Sequence, residues 1–133
     1  MKTKNKILIS TNNYKRAKGK LKISFMYSDE ETLIHDLHQS GALKVLIPKS
    51  KPKYAEAVLI NTGGGIVGGD NLSTGVEAAK KTNNWLTTQA SEKVYKSSSE
   101  QSILSNKVTL EDNSTLFWCP KETILFHMII DFI

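Results

Sequence analysis

From residue 56 to residue 126, short apolar or alternating segments recur at roughly ten-residue spacing, with turn residues between them. That rhythm leaves little room for helices of ordinary length and points to an all-β chain. "EAVLINT" (56–62) reads as an apolar strand covered on both faces. "NWLTTQA" (84–90) is rich in Thr and Trp and hence strand-like. "EKVYKS" (92–97) alternates weakly, with Val94 and Lys96 opposite Lys93, Tyr95 and Ser97. "SILSNKVTLE" (102–111) reads as a strand and "DNS" (112–114) as a turn. "TLFWC" (115–119) is a strand ended by Pro120, and "ETILF" (122–126) is another. "NLSTGVEA" (71–78) is ambiguous, and no internal repeat of fixed period is evident.

Upstream the text is more mixed. "GKLKISFMY" (19–27) sets Leu21, Ile23, Phe25 and Tyr27 on one face and Lys20, Lys22 and Ser24 on the other, the pattern of a half-buried strand. "DEETLIHDLHQSG" (29–41) fits one or two helical turns, capped by Asp29 and stopped by Gly41, or equally a loop and a strand around Thr32 to Ile34. "ALKVLIPKSKPK" (42–53) is a short apolar run stopped by Pro48 and followed by a lysine-rich connector. Three parts are expected: a basic, flexible arm over 1–18, a β domain over 19–126, and an atypical tail over 127–133. The tail, "HMIIDFI", closes on apolar residues with no polar cap, so the chain is expected to be truncated or read out of frame past Phe126.

The class of the protein is bounded by what the sequence omits. At 133 residues the chain suits one domain or part of one. No apolar run approaches the ~20 residues a membrane helix needs. The basic N-terminus is not followed by an apolar core, so no secretory signal is expected. A single cysteine, Cys119, fits a reducing compartment, and a cytoplasmic location is expected. Residues 1–53 carry twelve Lys/Arg against four Asp/Glu, while 54–133 carry six against nine. The basic third could attract nucleic acid, with an affinity that falls steeply with salt. Its lysines are spread singly, however, with no aromatic residues interleaved as a stacking platform requires. A solvated basic arm is the plainer reading, and neither a nucleic-acid nor a membrane partner is expected.

The most unusual stretch is "LINTGGGIVGGDNLS" (59–73), with five glycines between Gly63 and Gly69. Gly63-x-Gly65-x-x-Gly68 after a strand spells a dinucleotide fingerprint. That chemistry also needs a helix N-terminus facing the pyrophosphate. Here Gly68 is followed by Gly69, Asp70 and Asn71, a poor helix start that adds a negative charge. A phosphate-binding P-loop is excluded, since no Gly-Lys-Ser/Thr ends the run. The other reading is architectural: glycines allow a tight crossing or bulge beneath a neighbouring layer, with Asp70 capping the turn.

Other candidates are thin. His35 and His38 share a face if 30–38 is helical, and with Asp36 they could hold a transition metal, although surface histidines are the plainer reading. Cys119 and His127 could pair as thiol and imidazole, yet a cysteine inside an apolar strand is usually a small buried hydrophobe. Ser97, Ser98 and Ser99 read as a polar loop, and Trp85 and Trp118 as core. No arrangement supplies a nucleophile, a base and an orienting group together, so no enzyme and no catalytic residue is expected.

Taken together, "LINTGGGIVGGDNLS", "LTTQASEKVYKSS" (86–98) and "TLFWCPKETILF" (115–126) resemble the N-terminal half of the urease accessory protein UreD (UreH) family, over about residues 19–126. The resemblance implies a mainly β, layered or β-helix-like sheet architecture with at most one or two short helices, incomplete in this chain. It implies a non-catalytic scaffold or chaperone that binds apo-urease, recruits the UreF and UreG accessory proteins and supports nickel incorporation. No tightly bound cofactor is implied; nickel in transit along a water-filled internal path is. The family-motif residues carried over are Gly63, Gly64, Gly65, Gly68, Gly69, Asp70, Thr87, Thr88, Lys93, Tyr95 and Pro120. Asp70 is the candidate metal residue on the path; Asn71 stands where some members carry an acidic residue. A nucleotide-binding enzyme using the Gly63 to Gly68 loop, and a non-functional truncated remnant, are the alternative readings.

Overall fold

A computed structural model of the chain describes residues 16–49, 54–97 and 100–126. The expectations for the basic arm, the 50–53 connector, Ser98, Ser99 and the 127–133 tail with His127 lie mostly or wholly outside those residues. Among the described residues every regular element is a strand: β1 (Lys18–Ser28), β2 (Glu31–Gly41), β3 (Leu43–Leu46), β4 (Ala55–Asn61), β5 (Asn71–Ala78), β6 (Asn83–Thr88), β7 (Glu92–Val94), β8 (Ile103–Leu110), β9 (Thr115–Cys119) and β10 (Thr123–Leu125).

The strands form three sheets. Sheet A runs β2-β1-β5-β8, sheet B runs β3-β4-β6-β9, and sheet C pairs β7 with β10. Within each sheet the later strands are parallel: β1, β5 and β8 in A, β4, β6 and β9 in B, β7 and β10 in C. Ile66, inside the glycine stretch, extends sheet C through an isolated parallel bridge to Val94. The path is therefore a coil. From β4 the chain passes Ile66 and enters β5, then goes round again through β6, β7 and β8, and a third time into β9 and β10. Each turn stacks on the one before in register, as Ala55, Asn84 and Leu116 do in sheet B. This is a β-helical architecture of roughly 30 residues per turn. The sequence shows no fixed period because the turns between strands differ in length while the ladders keep their register.

A hairpin closes one end of the coil. β1 and β2 are antiparallel, joined at Asp29 and Glu30, both at positive φ (51° and 64°) as a two-residue hairpin connection requires. Residues 29–41 thus make a turn and a strand, not a helix, and Asp29 is no helix cap. The polar residues on both faces of β2 left the helix open as an alternative; pairing with β1 decides it. β3 likewise lies antiparallel on the outer edge of β4.

The core fills the space inside the coil. Leu21, Ile23 and Phe25 of β1, Leu72 and Val76 of β5, Ala55 and Ala57 of β4, Leu86 of β6 and Ile66 are all buried in one cluster. Burying each of the larger side chains contributes about 1.5–3 kcal/mol. The ambiguous segment 71–78 is a strand whose buried residues alternate, Leu72, Thr74, Val76 and Ala78. Trp118 packs against the core, but Trp85 is 42% exposed and Cys119 is exposed. Both correct the expectation of burial. In β6 the buried Asn84 and Leu86 turn Trp85 outward, and in β9 the half-buried Leu116 and Trp118 turn Cys119 outward.

Candidate functional site

The glycine stretch carries the chain from sheet B to sheet A through one bridge residue. Ile66 N–H donates to the Lys93 carbonyl at 2.7 Å, and Tyr95 N–H donates to the Ile66 carbonyl at 2.9 Å. Gly65 sits directly under Tyr95: a Cβ there would stand 2.6 Å from Tyr95 Cε2 and 3.0 Å from the Lys93 carbonyl oxygen. Gly63 N–H is received by Asn61 Oδ1 at 2.9 Å, and Gly69 N–H donates to the Gln101 carbonyl at 3.0 Å. Gly68 packs against Ser97 and Glu100 so closely that a side chain would meet them. The stretch leads into β5, a strand. No helix follows Gly68, so the dinucleotide reading fails at its structural requirement: there is no helix N-terminus to face a pyrophosphate.

Asp70 is 2% exposed and holds three segments together. Its Oδ1 accepts the Ala17 N–H at 2.8 Å, just before β1, and its Oδ2 accepts the Val67 N–H at 2.9 Å, within the glycine stretch. Its own carbonyl accepts the Ile103 N–H at 2.8 Å, at the start of β8. Asp70 thereby caps the turn.

Above this turn lies a cavity of about 490 Å³ bounded by all three sheets. Leu72, Thr74, Leu104 and Asn106 line it from sheet A, Leu59, Thr88 and Trp118 from sheet B, and Glu92, Lys93 and Thr123 from sheet C, with Gly64 and Gly65 at the turn. Of the sequence-predicted residues, Gly64, Gly65, Thr88, Lys93 and Pro120 line the cavity; Gly63, Gly68, Gly69, Asp70, Thr87 and Tyr95 do not. Thr88 Oγ1 donates to the Ala90 carbonyl at 3.2 Å and accepts the Lys121 N–H at 2.8 Å, tying the turn after β6 to the segment after β9. Thr87 Oγ1 donates to the Cys119 carbonyl at 2.8 Å. Tyr95 stacks on Phe126 with ring centroids 5.2 Å apart. Most of the motif therefore builds the wall and its supports.

Glu92 was not singled out by sequence reasoning. It opens β7 on the same face as Val94, which packs against the core. Burial holds its carboxyl above the ordinary glutamate range. Nearby, Glu122 is held below that range, first by the Ser91 hydroxyl, which donates to Glu122 Oε1 at 2.7 Å, then by its own backbone N–H and by Lys121. One acid at the cavity is thus biased toward the proton and its neighbour toward the charge. A raised folded pKa means the folded state binds the proton more tightly than the unfolded chain. The Glu92 contribution to stability therefore falls as pH rises from about 4.5 through the raised value, and is flat above it. Glu92→Gln should remove that slope and lift the melting temperature slightly at pH 7, on the order of 1 °C. Melts across pH 4–8 of both proteins check this.

His35 and His38 are both exposed on β2, and His35 is the extra residue where the pairing with β1 shifts register between Ile34 and Asp36. Among the described residues no group of three or more His, Cys, Asp or Glu stands close enough to hold a metal. Also among them, no helix is long and apolar enough to cross a membrane.

Residues 17–128 match the family described as UreD urease accessory protein. Curated relatives bearing the name urease accessory protein UreD include one from Ruegeria sp. (strain TM1040), 41% identical over 114 residues, which are 84% of this chain and 38% of the relative. Another, from Sinorhizobium medicae (strain WSM419), is 40% identical over 111 residues, 84% of this chain and 40% of the relative. A third, from Rhizobium etli, is 36% identical over 120 residues, 90% of this chain and 44% of the relative. The chain spans about two fifths of the length of these relatives.

Proposed function

The chain belongs to the UreD urease accessory protein family, and from that premise we propose that it forms part of a non-catalytic scaffold for loading nickel into apo-urease. The observation that carries the reading is the cavity between the three sheets, floored by the glycine turn that the family match includes. Its lining joins hydroxyls of Thr74, Thr88 and Ser91 with the Glu92 carboxyl and the Asn106 amide, beside Lys93 and Lys121. Oxygen donors of this kind suit a hydrated divalent cation in passage. They lack the soft or imidazole ligands of a tight resident site, so nickel here is cargo.

Glu92 is the acid among the residues that line the cavity. A passing Ni²⁺ would favour its ionised form, against the burial that disfavours it. Asp70 acts indirectly: both its oxygens are taken by backbone amides, and it holds in place the turn that walls the path. Apo-urease and the UreF and UreG proteins are the proposed partners, and the cytoplasm the proposed location.

Co-purification tests the reading. The tagged chain of 133 residues is expressed with apo-urease, UreF and UreG, beside a relative of full family length. Retention of urease or UreF on the chain is expected. Retention by the longer relative alone would refute a binding role for this chain.

A further inference from the structure

We propose that the outer face of sheet B carries a docking site for an arginine side chain presented by a protein partner. Glu56 of β4, Trp85 of β6 and Phe117 of β9 are register partners on neighbouring parallel strands, so they form one straight row across the sheet. An outward row on a solvated sheet is ordinarily polar. Here Trp85 is 42% exposed and Phe117 53% exposed, and their rings stack with centroids 5.1 Å apart and planes 27° from parallel. Tyr54, Asn83 and Asn84 complete a groove of about 540 Å³ around them.

The charge in this groove selects the occupant. Glu56 is half-buried and makes no hydrogen bond or ion pair among the described residues. Aromatic faces and an uncompensated carboxylate together ask for a flat cation rich in N–H groups. A guanidinium stacks on indole and phenyl faces and bonds a carboxylate through two parallel N–H groups. An ammonium is a point charge, more strongly hydrated and without a plane to stack.

A second copy of the chain does not fit the role. Its one arginine, Arg16, is engaged with Glu100 at 3.4 Å. Nor does bulk charge account for attraction, since the chain carries a net +5 and repels cationic peptides in general. The occupant is an arginine from another protein.

The test is an NMR titration of the whole 133-residue chain with acetyl-Gly-Arg-Gly-Arg-Gly-amide, reading the indole N–H signals of Trp85 and Trp118. The Trp85 signal should shift saturably while that of Trp118, packed against the core, stays in place. Citrulline in place of both arginines, which keeps the shape and removes the charge, should weaken binding at least about tenfold. Lysine in their place should weaken it about threefold or more. Glu56→Gln, a change at the surface row, should weaken the arginine peptide about tenfold. Equal binding of the citrulline or lysine peptide, an unmoved Trp85 signal, or an unaffected Glu56→Gln variant would overturn the assignment. So would a Trp85 signal that moves with protein concentration alone, which would seat a second copy on this face.

Discussion

Gly65→Ala is expected to destabilise the chain by about 3 kcal/mol and lower its melting temperature by roughly 10 °C. Two effects add. Gly65 has φ +146°, a backbone conformation that L side chains rarely adopt, worth about 1–3 kcal/mol of strain. The new methyl would also stand 2.6 Å from Tyr95 Cε2, with the Lys93 carbonyl behind it at 3.0 Å. Tyr95 is held by its stacking on Phe126 and through its backbone by Ile66, so it has little freedom to give way. Overpacking of this kind adds about 1–3 kcal/mol. Gly64→Ala is the internal control. Gly64 has φ +72° but nothing within 4 Å of an added Cβ, so only the left-handed backbone penalty of about 1–2 kcal/mol applies. Thermal melts of the two variants should differ clearly, and equal melting points would show that the Tyr95 contact does not constrain this turn.

Asp70→Asn should lower stability by about 2–4 kcal/mol despite its near-identical shape. The carboxylate receives the Ala17 and Val67 amides on separate oxygens. An amide side chain offers one oxygen and one NH₂, so whichever way it turns, one backbone N–H faces a donor. The site is almost wholly buried, and water cannot repair the mismatch. Urea unfolding should show an earlier midpoint at unchanged slope, since the surface exposed on unfolding is the same. Amide exchange at Ala17 and Val67 should quicken with it. A midpoint matching the parent would mean that the aspartate does not pin β1 to the glycine turn.

The strands were legible because alternation and turn chemistry are local. β1, β4, β6 and β9 announce themselves in four to eight residues. β2 was ambiguous because the adjacent polar residues His35 and Asp36 break its alternation, and β5 because Gly75 interrupts it. The stacking of turns was not legible. Nothing in Asn84 or Leu116 points to Ala55, and the ladder that joins them is set by backbone pairing across whole turns. Trp85 could have been placed correctly: between Asn84 and Leu86 it must face outward once Leu86 faces in. Its size suggested core, and the period of the strand overrode its size. Glu92 carried no signal at all. A single acid opening a weakly alternating segment has no signature; its burial arises only where three sheets meet.

The stacked coil also determines how the free energy of folding is distributed. Each turn touches only its neighbours, so stability divides into a sum over adjacent pairs. Among the described residues, β1 and β5 are flanked on both sides in sheet A, whereas β8 pairs with β5 and leaves its residues exposed. Opening the turn that holds β5 breaks its ladders with both β1 and β8. Damage to one turn is therefore felt first at the turns that pair with it.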